Sequence, residues 1–280
     1  KIFALANFPQ FNPNYYSEEQ DFEIFKNKAI QETFEPGSVF KPIVMAAALD
    51  QERITPQTTY IDEGQVKIEG WPKPLYNYGN KIYGKQTMTN VLEKSINTGA
   101  VFAEQQIGHN LFLEYIKRFG FFEKTGIDLQ GEDFSPNEEF KKGYEINFAT
   151  ASFGQGIAIT PIQLVRGFSA IANGGKLVRP YIVDPHTITR TDSVNLGAEG
   201  ALSSFGVGVE TQPQVISQRT SSQLTAMLVS VVENGFGKAA KIPGYFIAGK
   251  TGTAQIPWSA LGIEKKGYSE KTIQTFVGFA

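Results

Sequence analysis

The segment Ser38-Val39-Phe40-Lys41 places a hydroxyl and an amine three residues apart, the offset that stacks two side chains on one face of a helix. A serine hydroxyl is a poor nucleophile at neutral pH and needs a base beside it; a lysine amine serves when burial and a second cation depress its pKa. A helix N-terminus adds backbone N–H groups for an oxyanion. Alone, the pattern is better explained by an ordinary capped helix, since Ser-x-x-Lys arises by chance in most chains of this size. Lys250-Thr251-Gly252-Thr253 joins a lysine to two hydroxyls on one strand face, with a glycine that admits a close backbone, and so suits an anion. The competing reading is a sheet edge blunted by lysine. Ser95-Ile96-Asn97 has the composition of a helix-capping turn, and Asn97 would then simply start the next helix.

These residues need elements to hold them. Glu35-Pro36-Gly37 breaks the chain, and from Ser38 to Arg53 Phe40, Ile43, Val44, Ala47 and Ala48 recur at helical spacing, with Pro42 tolerable in the first turn. Residues 54–86 read as loops and short strands. Helices are expected at Thr89–Lys94, Thr98–Ile107 and Leu111–Phe119, with Gly108 and Gly120 as stops. Thr160-Pro161 starts another, ended by Asn173-Gly174-Gly175, and Ser217 caps a further one. Tyr245–Ile256 and Ile273–Phe279 read as a strand hairpin. Lys1–Ala6 and Thr275–Ala280 both read as buried strands at a terminus, which suggests a fragment of a longer protein. A strand, many helices and a hairpin suggest an α/β layered domain with an antiparallel sheet.

Composition narrows the chemistry. The 280 residues are 41% hydrophobic and 19% charged, enough for a full core, and a net charge of -2 with scattered lysines argues against nucleic acid. There is no cysteine, hence no disulfide or thiolate metal site, and no apolar run approaches the ~18 residues that span a bilayer. His109 and His186 are the only histidines, and no Gly-x-Ser-x-Gly elbow exists, which argues against a Ser-His-Asp hydrolase; each histidine reads as a polar surface or loop residue. Gly244 to Thr251 matches the P-loop pattern letter for letter, but its strand-like spacer Tyr245-Phe246-Ile247-Ala248 and the stretch Gly252–Pro257 provide no loop entering a helix, which argues against an ATPase.

The ordered set Ser-x-x-Lys, Ser-x-Asn, Lys-Thr-Gly resembles the motifs of β-lactamases and penicillin-binding proteins. Around it, Glu35 to Pro42, Phe153 to Ile157, Thr160 to Leu164, Ala172 to Gly175 and Ala248 to Gln255 resemble the monofunctional, class B penicillin-binding proteins over nearly the whole chain. The resemblance implies an α/β (α+β) transpeptidase fold: a central antiparallel sheet flanked by helices, with residues 1–280 as one transpeptidase domain truncated at both ends. It also implies an all-helical subdomain at about 85–150, inserted between the Ser-x-x-Lys helix and the Lys-Thr-Gly strand, with the site between them.

It implies further that Ser38 attacks a D-Ala-D-Ala stem peptide while Lys41 takes its proton, that Ser95 relays a proton to the leaving D-Ala, and that Asn97 holds the substrate amide and the Lys41 amine. Lys250 supplies positive charge, Thr251 and Thr253 bind the terminal carboxylate around Gly252, and the N–H groups of Ser38 and Thr253 form the oxyanion hole. Strict alternation places Lys250 on the face opposite Thr251 and Thr253, so its arrival in the same cleft rests on the resemblance. No metal or cofactor is implied. The expected partners are peptidoglycan stem peptides, β-lactams, a glycan polymerase and the division or elongation machinery, at the outer face of the cytoplasmic membrane through an anchor outside this chain. A serine β-lactamase or a β-lactam sensor would share the motifs. Residues 181–216 match no pattern and receive no role.

Overall fold

The computed structural model describes residues 1–183 and 212–280; most of the stretch without an assigned role, and His186, therefore lie outside the described residues. Lys1–Ala6 is not the buried strand expected from its apolar residues. It is largely exposed, belongs to no ladder, and is tied by the Ile2 N–H to the Tyr181 carbonyl at 2.7 Å. A short apolar run describes a strand's side chains but not a partner for its backbone. Two 3-10 turns, Pro13–Glu18 and Phe22–Phe25, lead to α1 (Lys28–Gln31).

A 3-10 turn, Gly37–Phe40, runs directly into α2 (Lys41–Asp50), with Pro42 in its first turn where no intrahelical donor is lost. Every residue from Lys41 to Leu49 is buried, so α2 is the hub of the molecule rather than an amphipathic surface helix. It packs against α4, α5 and α9, defined below, and the small side chains of Ala46, Ala47 and Ala48 let these neighbours come near. Burying Ile43, Val44 and Met45 stabilises by about 1.5–3 kcal/mol each. That anchorage fixes where Ser38 and Lys41 stand.

The excursion that follows holds β1 (Thr59–Asp62) paired antiparallel with β4 (Gly84–Thr87), and β2 (Gln65–Val66) paired with β3 (Leu75–Tyr76). Then come α3 (Met88–Glu93), started by a reciprocal Thr87–Asn90 capping box, α4 (Asn97–Ile107) and α5 (His109–Arg118). Both expected glycine stops lie at positive φ, Gly108 at 75° and Gly120 at 73°, a conformation that costs other residues strain. His109, expected as a polar surface or loop residue, is partly exposed but lies in a helix rather than a loop. It opens α5, stacks on Phe148 at 4.2 Å between ring centres, and brings its Nε2 within 3.3 Å of the Glu145 carboxylate.

After α6 (Glu138–Lys141) and α7 (Glu145–Ala151), α8 (Pro161–Ala172) begins on a Thr160–Gln163 capping box, and α9 (Gln218–Glu233) is capped by Ser217 accepting from the Thr220 N–H. The sheet flanked by these helices is an antiparallel pair, β5 (Ala248–Pro257) with β6 (Tyr268–Phe279), in register Lys250 opposite Val277. β5 begins three residues later than expected, leaving Tyr245 and Phe246 exposed. β6 begins five residues earlier, because Tyr268 to Thr272 pair through the backbone and carry no apolar pattern to announce it. Thr275–Phe279 is only partly buried, so its apolar alternation marks one covered face rather than a buried strand. Gly249-Lys250-Thr251 lies in mid-strand, the opposite of a phosphate loop entering a helix.

Candidate active site

In a 3-10 turn, residues i and i+3 eclipse, and the Gly37–Phe40 turn delivers Lys41 at the head of α2 with its Nζ 3.0 Å from Ser38 Oγ. The turn is pressed against β5. A Cβ added to Gly252 would meet the Val39 side chain at 2.9 Å and the Pro36 carbonyl at 3.0 Å, so the glycine of Lys-Thr-Gly is what admits the turn that carries Ser38. From the other side the Gly37 N–H donates to the Gly154 carbonyl at 2.9 Å, and a Cβ on Gly154 would fall 2.1 Å from the Gly37 oxygen.

Ser95, between α3 and α4, is a non-glycine residue at φ 54°, a backbone conformation that costs about 1–2 kcal/mol. The Lys41 Nζ lies 2.6 Å from its carbonyl and 3.1 Å from its Oγ, and 2.8 Å from Asn97 Oδ1. Two of the four partners, the Ser95 carbonyl and Asn97 Oδ1, are obligate acceptors, and they take two N–H bonds. A neutral amine then keeps one lone pair for the Ser38 hydroxyl proton. Lys41 is wholly buried, and that desolvation, followed by the charge of Lys250, holds its pKa well below the ordinary lysine value.

Lys250 reaches the same cluster from the hidden face of β5. Strand burial alternates as the sequence predicts, with Lys250, Gly252 and Ala254 inward and Thr253 outward. The long side chain nevertheless turns its Nζ to 3.0 Å from the Thr251 carbonyl and 3.0 Å from Ser95 Oγ. Burial lowers the Lys250 pKa to about 7, and no carboxylate pairs with either lysine among the described residues. Ser95 Oγ therefore sits between two amines whose pKa values are both lowered by burial, an arrangement suited to a proton relay.

Above this buried floor opens a cleft of about 840 Å³ whose walls include Ser38, Ser95, Asn97, Thr251, Gly252 and Thr253, together with Tyr76, Asn77 and Tyr78 of the excursion and Phe236. Thr253 donates its hydroxyl to Gln274 Oε1 at 2.9 Å. All eight residues singled out in the sequence thus meet: six line the cleft, while Lys41 and Lys250 lie beneath it. Asn97 is not a cap. The N-cap of α4 is Ile96, without a side-chain bond, and Asn97 spends its amide on Lys41 and, through Nδ2, on the Tyr76 carbonyl at 3.1 Å.

Sequence reading missed the parts of the excursion that touch this cluster, since 54–86 shows little periodicity, and it missed Glu35. That carboxyl is pushed up to about 7 by burial, against the pull of hydrogen bonds from Tyr268 and the Gly156 backbone, and the Tyr268 hydroxyl donates to it at 3.2 Å. Its place three residues before Ser38 was the available signal.

A family model described as the penicillin binding protein transpeptidase domain matches residues 1–280. Stage V sporulation protein D of Bacillus subtilis is 35% identical over 286 aligned positions covering 100% of this chain and 41% of that protein. The peptidoglycan D,D-transpeptidase FtsI of Escherichia coli is 30% identical over 91% of this chain and 39% of its own. The chain thus spans less than half the length of these curated relatives. The transpeptidase domain of Burkholderia pseudomallei penicillin-binding protein 3 superposes with a TM-score of 0.73 at 28% identity, over 91% of this chain and 69% of that one.

Proposed function

The chain belongs to the penicillin-binding protein transpeptidase family, and from that membership we propose that it is a serine D,D-transpeptidase that cross-links peptidoglycan stem peptides and is acylated by β-lactams. The observation that carries the reading is the Lys41 amine, buried without a counter-ion and 3.0 Å from Ser38 Oγ.

On this reading Ser38 Oγ attacks the penultimate D-Ala carbonyl as its proton passes to the Lys41 amine. The oxyanion is met by the N–H groups of Ser38 and Thr253, groups whose individual loss costs about 10²-fold or more in rate. The proton travels through Ser95 Oγ to the departing amine nitrogen, the peptide bond breaks, and D-Ala leaves a Ser38 ester. An amine of a neighbouring stem attacks that ester, its proton returns through Lys41, and Ser38 regains its hydroxyl. Thr251 and Thr253 hold the donor's terminal carboxylate, with Lys250 beneath them adding positive charge. A β-lactam enters the same path, but its ring nitrogen stays tethered and the ester persists. Helices α3 to α7 act as the helical subdomain that closes one side of the cleft. We place the activity at the outer face of the cytoplasmic membrane, alongside a glycan polymerase, with an anchor supplied by chain outside these residues; no helix among the described residues is long and apolar enough to cross a membrane.

The test is intact mass after incubation with benzylpenicillin, followed for hours, on the protein at its natural length and on Ser38→Ala. A lasting adduct of one penicillin on the wild type and none on the variant is expected. Rapid turnover without an adduct would replace the reading with a β-lactamase, and no reaction in a folded protein would end it. A stable adduct with no cross-linking of stem peptides would point to a sensor.

A further inference from the structure

Below the cleft wall, Asp62 at the end of β1 is 1% exposed, yet its carboxylate has no cation among the described residues. Five contacts converge on it instead. Oδ1 accepts from the Gly64 N–H at 3.0 Å, Asn77 Nδ2 at 2.9 Å and Thr98 Oγ1 at 2.6 Å; Oδ2 accepts from Asn77 Nδ2 at 3.0 Å and the Tyr83 N–H at 2.8 Å. Asn77 is gripped at its other end as well. Its second amide hydrogen goes to the Lys81 carbonyl at 3.0 Å, and its Oδ1 accepts from the Thr98 N–H at 3.1 Å, so a residue 21 positions upstream caps α4 in place of the silent Ile96.

The peptide between Tyr76 and Asn77 is thereby fixed, and the Tyr76 carbonyl receives Asn97 Nδ2. An amide whose NH₂ is committed to a carbonyl must turn its oxygen the other way, and that oxygen is the one 2.8 Å from the Lys41 Nζ. We propose that Asp62 is a positioning residue for acyl transfer, holding Asn77 and the Tyr76 carbonyl so that Asn97 presents its oxygen, not its NH₂, to Lys41. Asp62 touches neither substrate nor base; it acts only through Asn97.

The inference rests on the transpeptidase reading, and Asp62→Asn tests it. The substitution preserves volume, but every contact at position 62 is a donor, so the new NH₂ faces one whichever way it turns. The measurement is the second-order rate of acylation by benzylpenicillin in a cycle of wild type, Asp62→Asn, Asn97→Ala and the double variant. Asp62→Asn is expected to slow acylation about 10-fold or more, and the double variant to match Asn97→Ala within about 3-fold, because a residue acting through Asn97 has nothing left to lose once that amide is gone. Effects that multiply, or an Asp62→Asn rate equal to wild type, would overturn the proposal. If Asp62→Asn does not fold, Asn77→Ala enters the same cycle with the same two outcomes. A wild-type protein that fails to acylate sinks the transpeptidase reading instead, and is seen before any variant is made.

Discussion

Asn97 and Thr98 are consecutive residues at the head of α4, and they belong to two buried polar clusters that treat charge in opposite ways. Around Asn97, two lysines share Ser95 Oγ at 3.1 and 3.0 Å, meet only neutral acceptors, and have pKa values driven down by burial. Around Thr98, a single carboxylate is met by five donor contacts and has nothing left unsatisfied. The first cluster keeps lone pairs and protons available for transfer, and the second withholds them. A buried charge fully matched by donors is scaffold; one left without its counter-ion is poised to change protonation state.

The comparison breaks most sharply at Lys41. Lys41→Ala is expected to slow acylation by about 10²–10⁴-fold, the usual contribution of a positioned base, and a wild-type rate of adduct formation would remove Lys41 from that role. The clusters should then part on stability. Breaking the matched one with Asp62→Asn should cost about 2–4 kcal/mol in denaturant unfolding, whereas Lys250→Met, which removes an uncompensated buried cation, should be neutral or stabilising. A Lys250→Met protein that loses as much stability as Asp62→Asn would erase the distinction.

Activity should report the same charge. With Lys250 gone, the Coulombic push on Lys41 is relieved, its pKa rises, and the acid limb of the acylation profile moves to higher pH in Lys250→Met. An unmoved limb would mean that the two amines do not sense each other.

The smallest effect expected is the pH dependence of folding. Glu35 is raised to about 7 in the folded state, so it binds a proton there that the unfolded chain has released above its ordinary value of 4.5. Its contribution to stability is full below pH 4.5 and is lost as pH rises to about 7. Lys250, lowered to about 7, works in the next window: the folded state holds fewer protons than the unfolded one, and stability climbs from about pH 7 toward 10.5. Glu35→Gln should flatten the melting temperature between pH 4.5 and 7 only in part, because Glu104, also raised to about 7, titrates in the same window. An unchanged slope would show that Glu35 is not the group responsible.

Much of this was written in local pattern. The i, i+3 spacing of Ser38 and Lys41, the Thr160 and Ser217 caps and the glycine stops at 108 and 120 are short-range effects of helix geometry, and each is where the residues put it; the strand carrying Lys250 is present too, but starts three residues late. Ser95 and Asn97 stand out only by resemblance, since a capping turn explains their types in isolation, and the meeting of Lys250 with them rests on the resemblance too.

What the chain could not declare locally is which long-range approaches occur. Lys250 faces away from Thr253 by alternation, and only the packing of β5 against α9 and the Gly37–Phe40 turn brings its flexible stem to the acceptors Thr251 and Ser95. The capping of α4 by Asn77 and the burial of Asp62 depend on contacts 15 to 36 positions apart. The sequence by itself determined the i, i+3 placement of Ser38 and Lys41 and most of the elements that carry them, because those depend on neighbours along the chain. The protonation states and the orientation of Asn97 were decided by the tertiary structure alone, because desolvation and hydrogen-bond partners exist only once distant segments have closed around them.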